Sequence, residues 1–298
     1  MAKKKTTHHR RATNQPTNQP TKKTTKPAKK AIKPTTQVKK TIRPALRDRI
    51  LAHFEDLGVR LSPDQFDIVL AESEKTACSH LEFLERVLSP AAAERRQRSI
   101  QRRIHQARFH DEAAALETFD WKFNSAIDRR QIEELATADF VRRGDNLVLA
   151  GQSGLGKSHL IQSIGRRACV AGYRVCYITS AELLRKLGAS LADGTTPRKI
   201  RHYVRYDLLI IDEFGFDRLE REELPQAASL LYKVIDGRAR KCSTALVTNI
   251  DFDAWGEYLG DAPLAMALLD RLVDGALILK FRGKSYRAHR AKKPRCVK

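Results

Sequence analysis

Residues 146–159 read NLVLAGQSGLGKSH: an apolar run, a glycine-rich turn, then a lysine, a serine and a histidine. The run 146–150 suits a buried strand. Gly151-Gln152-Ser153-Gly154-Leu155-Gly156-Lys157-Ser158 fits the spacing GxxxxGK[ST] at every fixed position. Glycines let backbone N–H groups close around phosphate oxygens, and a helix starting at Lys157 adds its N-terminal dipole. In that frame Lys157 reaches the β- and γ-phosphates of ATP, and the Ser158 hydroxyl ligates Mg2+. His159, next to the loop and grouped with its nucleotide-binding positions, reads as a helix-surface or packing residue rather than a catalyst.

Outward from the loop, apolar runs at 174–179, 207–211, 243–249 and 276–281 predict further strands. Segments 157–171, 181–191, 221–239 and 264–273 predict helices between them. Strands apolar along their whole length and joined by helices imply a parallel sheet covered on both faces. The stretch 207–213, DLLIIDE, presents two carboxylates at the C-terminal end of its strand, where ligands sit in such sheets. Asp212 suits the Mg2+ shell and Glu213 suits a general base that polarises water. The strand–helix unit 174–193 leaves room for an additional strand between the two motif strands. Asn249, at the tip of 243–249, is either an ordinary turn residue or a group that orients the lytic water or senses the γ-phosphate. Arg271, in LLDRLVDG, reads by itself as a solvated or ion-paired arginine beside Asp270 and Asp274.

The charge is unevenly placed. Of a net +21 over 298 residues, 1–44 hold fourteen Lys/Arg and 280–298 hold nine, with no acid in either. Residues 45–279 carry 33 basic and 35 acidic side chains, a net −2. Such ends point to a polyanion, nucleic acid first and an anionic membrane surface second. The Lys/Thr/Pro-rich tail 1–44 has little to bury and is expected to be disordered; it serves as an electrostatic arm on DNA, or for solubility or localisation. From 45 the texture is helical, with apolar residues recurring at 46, 50, 54 and 57, then at 66, 69 and 70, then at 81, 84 and 88. Ser89-Pro90 is expected to end that third helix, and an arginine-rich one follows. Residues 95–108 contain six arginines and no acid. Arg95, Arg98 and Arg102 share a face there, with Arg103 beside them, which suits a phosphate backbone or a solvated surface.

Five cysteines with no CxxC pair argue against a disulfide framework or a zinc site, and for a reducing cytosol. No apolar run nears the ~18–20 residues of a membrane span, and no apolar segment follows the basic N-terminus as in a secretory signal. The expectation is a cytoplasmic protein with no membrane partner. No acidic or histidine cluster beyond Asp212-Glu213 supports a metal-dependent nuclease.

Taken in order, HLEFLERVL (80–88), QRRIHQARF (101–109), TFDWKFN (118–124), the stretch 129–160, RRACVAGYRVCYIT (166–179), YDLLIIDEFG (206–215), STALVTNIDFDAWGEYLGD (243–261), LLDRLVDGA (268–276) and RGKSYR (282–287) resemble the IstB-like ATPases of insertion-sequence transposition. These belong to the initiator and helicase-loader branch of AAA+ proteins. The resemblance implies an α/β fold: a five-stranded parallel P-loop core without the usual C-terminal lid, at 117–287. A small all-α domain for DNA binding or oligomerisation at 45–116 precedes it, and a basic C-terminal tail at 288–298 follows. It casts Asn249 as the polar sensor and Arg271 as an arginine finger presented to a neighbouring subunit. Arg287 would contact phosphate in place of the lid arginine. It also implies a homo-oligomer on double-stranded, nucleoid DNA that serves a transposase. The alternatives are a loader of a replicative helicase, and an ATP-gated DNA clamp, which Glu213, Asn249 and Arg271 together argue against. The loop GQSGLGKS departs from the Pro-containing GPPGTGKT form but keeps the essential positions, and the tail 1–44 lies outside the resemblance.

Overall fold

The computed structural model describes residues 44–124, 127–215 and 226–292. The expected tail 1–44 lies outside the described residues but for Pro44, and the expected C-terminal tail lies outside them from 293 onward. The chain divides into two compact units between Ala52 and His53. Of the first, 44–52 are described, as the opening turns of helix α1 (Pro44–Asp56).

In the second unit β1 (Leu147–Gly151), β2 (Val175–Thr179), β3 (Leu208–Phe214), β4 (Ser243–Thr248) and β5 (Leu277–Phe281) form one five-stranded sheet in the order β2-β3-β4-β1-β5. Every pairing is parallel. This is the α/β phosphate-loop core that the sequence implies. The expected additional strand between the two motif strands is present: it is β4, from later in the chain, while the 174–193 unit supplies the edge strand β2. Separation along the chain leaves room for a strand but does not order it in space.

Period-two alternation sends the strand side chains to two cores. Leu147, Leu149, Tyr177, Leu208 and Ile210 join one core with α6 (Lys157–Ala171), α4 (Arg129–Leu135) and α5 (Asp139–Arg143). Ile178, Leu209, Ile211 and Leu246 join the other. It is covered by α7 (Ser180–Ala192), α8 (Thr196–Val204), α9 (Ala227–Arg238), α10 (Trp255–Leu259) and α11 (Ala262–Val273). Of the helix expected at 221–239, residues 221–225 lie outside the described residues.

Ahead of the sheet, α2 (Pro63–Thr76) and α3 (His80–Ala107) start at Ser62 and Ser79, each with a reciprocal capping box to Gln65 and Glu82. The expected break at Ser89-Pro90 does not occur: α3 runs 28 residues with Pro90 inside it. Val87 and Ala91 are buried on either side of the proline, and packing of that face outweighs the missing N–H. Arg98 pairs with Glu94 at 2.6 Å, the residue just upstream of the acid-free stretch, and Arg103 donates to the Cys169 carbonyl at 3.3 Å. Arg95 and Arg102 remain exposed. A short helix α12 (Tyr286–Lys292) follows β5. Among the described residues no helix is long and apolar enough to cross a membrane.

Candidate nucleotide site

β1 ends at Gly151 and α6 begins at Lys157, so residues 152–156 carry the turn above the C-terminal edge of the sheet. Gly154 (φ +82°) and Gly156 (φ +89°) adopt the left-handed conformation that favours glycine. Space demands glycine too: a Cβ on Gly154 would strike the Ser285 side chain, and one on Gly156 would lie 2.6 Å from the Phe119 ring. The loop is clasped from both sides, and the Tyr286 N–H donates to the Gly154 carbonyl at 2.9 Å. Buried Lys157 donates through Nζ to the carbonyls of Gly151 (2.5 Å) and Gln152 (2.8 Å). Burial lowers the pKa of its ammonium, the Asp212 charge opposes that shift, and Arg287 adds to it.

Parity along β3 explains how the two carboxylates diverge. Asp212 follows Leu208 and Ile210 onto the α6 face of the sheet and is buried. Its Oδ1 accepts from the Glu213 N–H and its Oδ2 from the Tyr177 hydroxyl, both at 2.7 Å. The register then slips: Ile211 pairs with Leu246, but Phe214 pairs with Thr248. That bulge inserts one residue. Phe214 takes the buried place on the far face, leaving Glu213 exposed at φ +61°. A non-glycine residue held there is strained, a feature that concentrates at functional sites.

These groups open onto a cavity of about 610 Å³, whose lining includes Ser153 to His159, Asp212, Glu213 and Arg287. Its size suits a nucleotide. Phe119, Phe123 and Tyr286 supply an apolar wall, with Arg290 near Arg287 on the same lining. Phe123 packs on Tyr286 and His289 at centroid distances of 5.0 and 4.9 Å. His159 ties the segment 111–115 to α6: its Nε2 lies 2.9 Å from the Ala115 carbonyl and its Nδ1 3.5 Å from Asp111. Ser158 and Asp212 together offer one hydroxyl and one carboxylate. Among the described residues no group of three or more His, Cys, Asp and Glu gathers to hold a metal. That sparse set fits Mg2+, which keeps several waters and takes further ligands from phosphate.

Two further candidates lie outside this lining. Thr248, not Asn249, lines the cavity; the Asn249 Oδ1 is buried without a hydrogen-bond partner, close to Gly215. Arg271 is in the last turn of α11, where Asn146, just before β1, donates to the carbonyls of Arg271 and Leu272, both at 3.2 Å. It therefore sits at the N-terminal end of β1, while the phosphate loop leaves the C-terminal end. The Arg271 guanidinium pairs with Asp236 at 2.9 Å and Asp270 at 3.3 Å, and the bond to Asp236 leads the effects that raise its pKa.

The family model of the IstB-like ATP binding proteins matches residues 62–294. This chain belongs to that family. It is 33% identical to a Geobacillus stearothermophilus protein named for ATP binding in insertion sequence IS5376, over 81% of this chain and 94% of the relative. It is 35% identical to the corresponding protein of insertion sequence IS21 of Pseudomonas aeruginosa, over 76% of this chain and 83% of the relative. Among solved structures, the DnaC helicase loader is similar at 18% identity and a TM-score of 0.46, over 57% of this chain and 98% of that one.

In this IstB-like chain, sequence reasoning assigned no role to Tyr177 or the aromatic wall. Tyr177 is an apolar-strand residue by pattern, and only the pairing of β2 with β3 sets its hydroxyl on Asp212. Burial first, then the Asp212 charge, pushes its phenol pKa far up, so it stays a donor. Tyr177→Phe is expected to lower stability by about 1.5–3 kcal/mol, the range for a hydrogen bond to a charged group. Urea unfolding measures this; an unchanged midpoint at equal slope would show that the bond contributes nothing.

Proposed function

We propose that this chain is a Mg2+-dependent ATPase that assembles with copies of itself on duplex DNA and serves a transposase from the cytoplasm. The observation that carries the reading is the meeting of Lys157, Ser158, Asp212 and Glu213 at one cavity above the sheet. The loop N–H groups of 151–158 and Lys157 hold the phosphates, and Ser158 and Asp212 hold Mg2+. When bound, the metal supplies positive charge beside the phosphate oxygens. Glu213 accepts a proton from the attacking water. Asn249, which directly follows the cavity-lining Thr248, is the candidate sensor, and Arg287 is a further phosphate contact from α12. Phosphate release that needs magnesium and rises with duplex DNA supports this reading; release indifferent to magnesium overturns it.

The membership of similar relatives in insertion sequences favours service to a transposase over loading of a replicative helicase. The segment 45–116 is read as the domain for DNA binding and oligomerisation, with exposed Arg95 and Arg102 facing phosphate. The tail 1–44 adds a sequence-independent arm. Deleting residues 1–44 should flatten the fall of DNA affinity with salt, by about 0.9 in logarithmic slope per lost phosphate contact. ATPase activity without DNA should not change. An unchanged slope would leave the tail a role in solubility or protein contact.

A further inference from the structure

Helix α8 carries cations that the nucleotide site does not use. Residues 195–206 read TTPRKIRHYVRY, with Arg198, Lys199, Arg201 and Arg205 and no acid. Ile200, Tyr203 and Tyr206 pack into the second core, while Arg198, Arg201 and Arg205 are exposed. Those three recur at i, i+3 and i+7, a stripe of about 10 Å along one face. The helix end is anchored: buried Arg238 donates to the carbonyls of Tyr203 (2.7 Å), Val204 (3.2 Å) and Tyr206 (2.8 Å).

The contrast with α3 is informative. There Glu94 occupies Arg98 and the Cys169 carbonyl occupies Arg103. Among the described residues no carboxylate pairs with Arg198, Arg201 or Arg205, and the neighbouring acids Glu182 and Asp207 pair with Lys186 and Arg174. Arg108, the C-cap of α3, is exposed as well. His202, between these elements, has its pKa lowered first by burial and then by Arg205, Lys199, Lys186 and Arg108.

We propose that the stripe Arg198–Arg201–Arg205 docks the phosphate backbone of duplex DNA. This deepens the DNA reading above and rests on it. Exposed guanidinium forks match phosphate oxygens in bidentate fashion, and about 10 Å spans about three steps of ~3.4 Å along a DNA strand. A membrane surface suits the helix less well, because interfacial helices bury an apolar face in lipid, and the apolar face of α8 is already spent on the protein core.

The test is a salt series of full-chain binding to a 30-base-pair duplex of arbitrary sequence. It compares the unmodified chain, the triple variant Arg198→Gln/Arg201→Gln/Arg205→Gln, and a charge-matched control, Arg129→Gln/Arg130→Gln/Arg142→Gln. The α8 variant is expected to lose about 2–3 from the logarithmic salt slope and to bind ATP normally, while the control keeps its slope. If the unmodified chain binds no duplex, the DNA reading itself fails. If it binds and the α8 variant keeps the full slope, the surface is wrong while the DNA reading stands. An equal loss in the control assigns the effect to net charge and also overturns the surface. So does a loss of binding to phosphatidylserine vesicles without a loss on DNA. Should the triple variant lose nucleotide binding, Arg201→Gln alone decides, with an expected loss of about 1 in slope.

Discussion

Glu213→Gln is expected to bind ATP as the unmodified chain does and to turn it over roughly 10²–10⁴ times more slowly, the range for loss of a general base. The substitution keeps size and shape and removes only the capacity to take a proton. The bulge makes the experiment clean: Glu213 is exposed, and its backbone N–H, not its side chain, bonds to Asp212. The Asp212 carboxylate is therefore left in place. Lys157→Ala should behave differently and abolish nucleotide binding, because the buried ammonium is held within the loop by two of its carbonyls. Equilibrium binding of a fluorescent ATP analogue, run beside phosphate release, separates the two variants. Equal release rates for Glu213→Gln and the unmodified chain would remove Glu213 from the chemistry.

The second large effect concerns Arg271. A finger that stabilises transition-state charge is worth ~10³–10⁵ in turnover in other phosphate-loop enzymes, and Arg271→Ala should lose activity on that scale. Arg271 lies at the N-terminal end of β1, with the phosphate loop at the other. The five strand residues between them span about 16 Å, beyond the reach of an arginine side chain to its own γ-phosphate. A finger at this position would have to act on a second copy, after release from Asp236 and Asp270. Turnover should then rise more than linearly with protein concentration. Mixing Arg271→Ala with Lys157→Ala, each inactive alone, should restore activity, since one interface in the mixture pairs an intact loop with an intact finger. A mixture that co-assembles and stays inactive, or an Arg271→Ala chain with normal turnover, would refute action in trans.

The loop and the acidic strand end were legible because their chemistry is written in consecutive residues. GQSGLGKS needs its glycines within a few positions of one another, and DLLIIDE shows an apolar strand ending in carboxylates without any knowledge of its neighbours. The same holds for the parallel sheet, since strands buried on both faces must be apolar throughout. Local signals misled where packing outweighs them. Pro90 reads as a helix end, yet α3 continues through it. The α3 arginines lie in an acid-free stretch, yet Glu94, just upstream of it, and the Cys169 carbonyl take up two of them.

Sequence by itself determined the fold class, the phosphate loop, the roles open to Lys157, Ser158, Asp212 and Glu213, and the family resemblance that membership bears out. Tertiary structure alone decided that β4 separates the motif strands and that Tyr177 bonds Asp212. It likewise decided that Phe119, Phe123 and Tyr286 wall the cavity and that Arg271 stands at the far end of the sheet. The physical reason is one of range. A motif held within a single turn or strand is determined by neighbours along the chain. A contact between β2 and β3, or between residue 123 and residue 286, depends on how the sheet orders its strands, and strands alike in apolar content carry no local mark of that order.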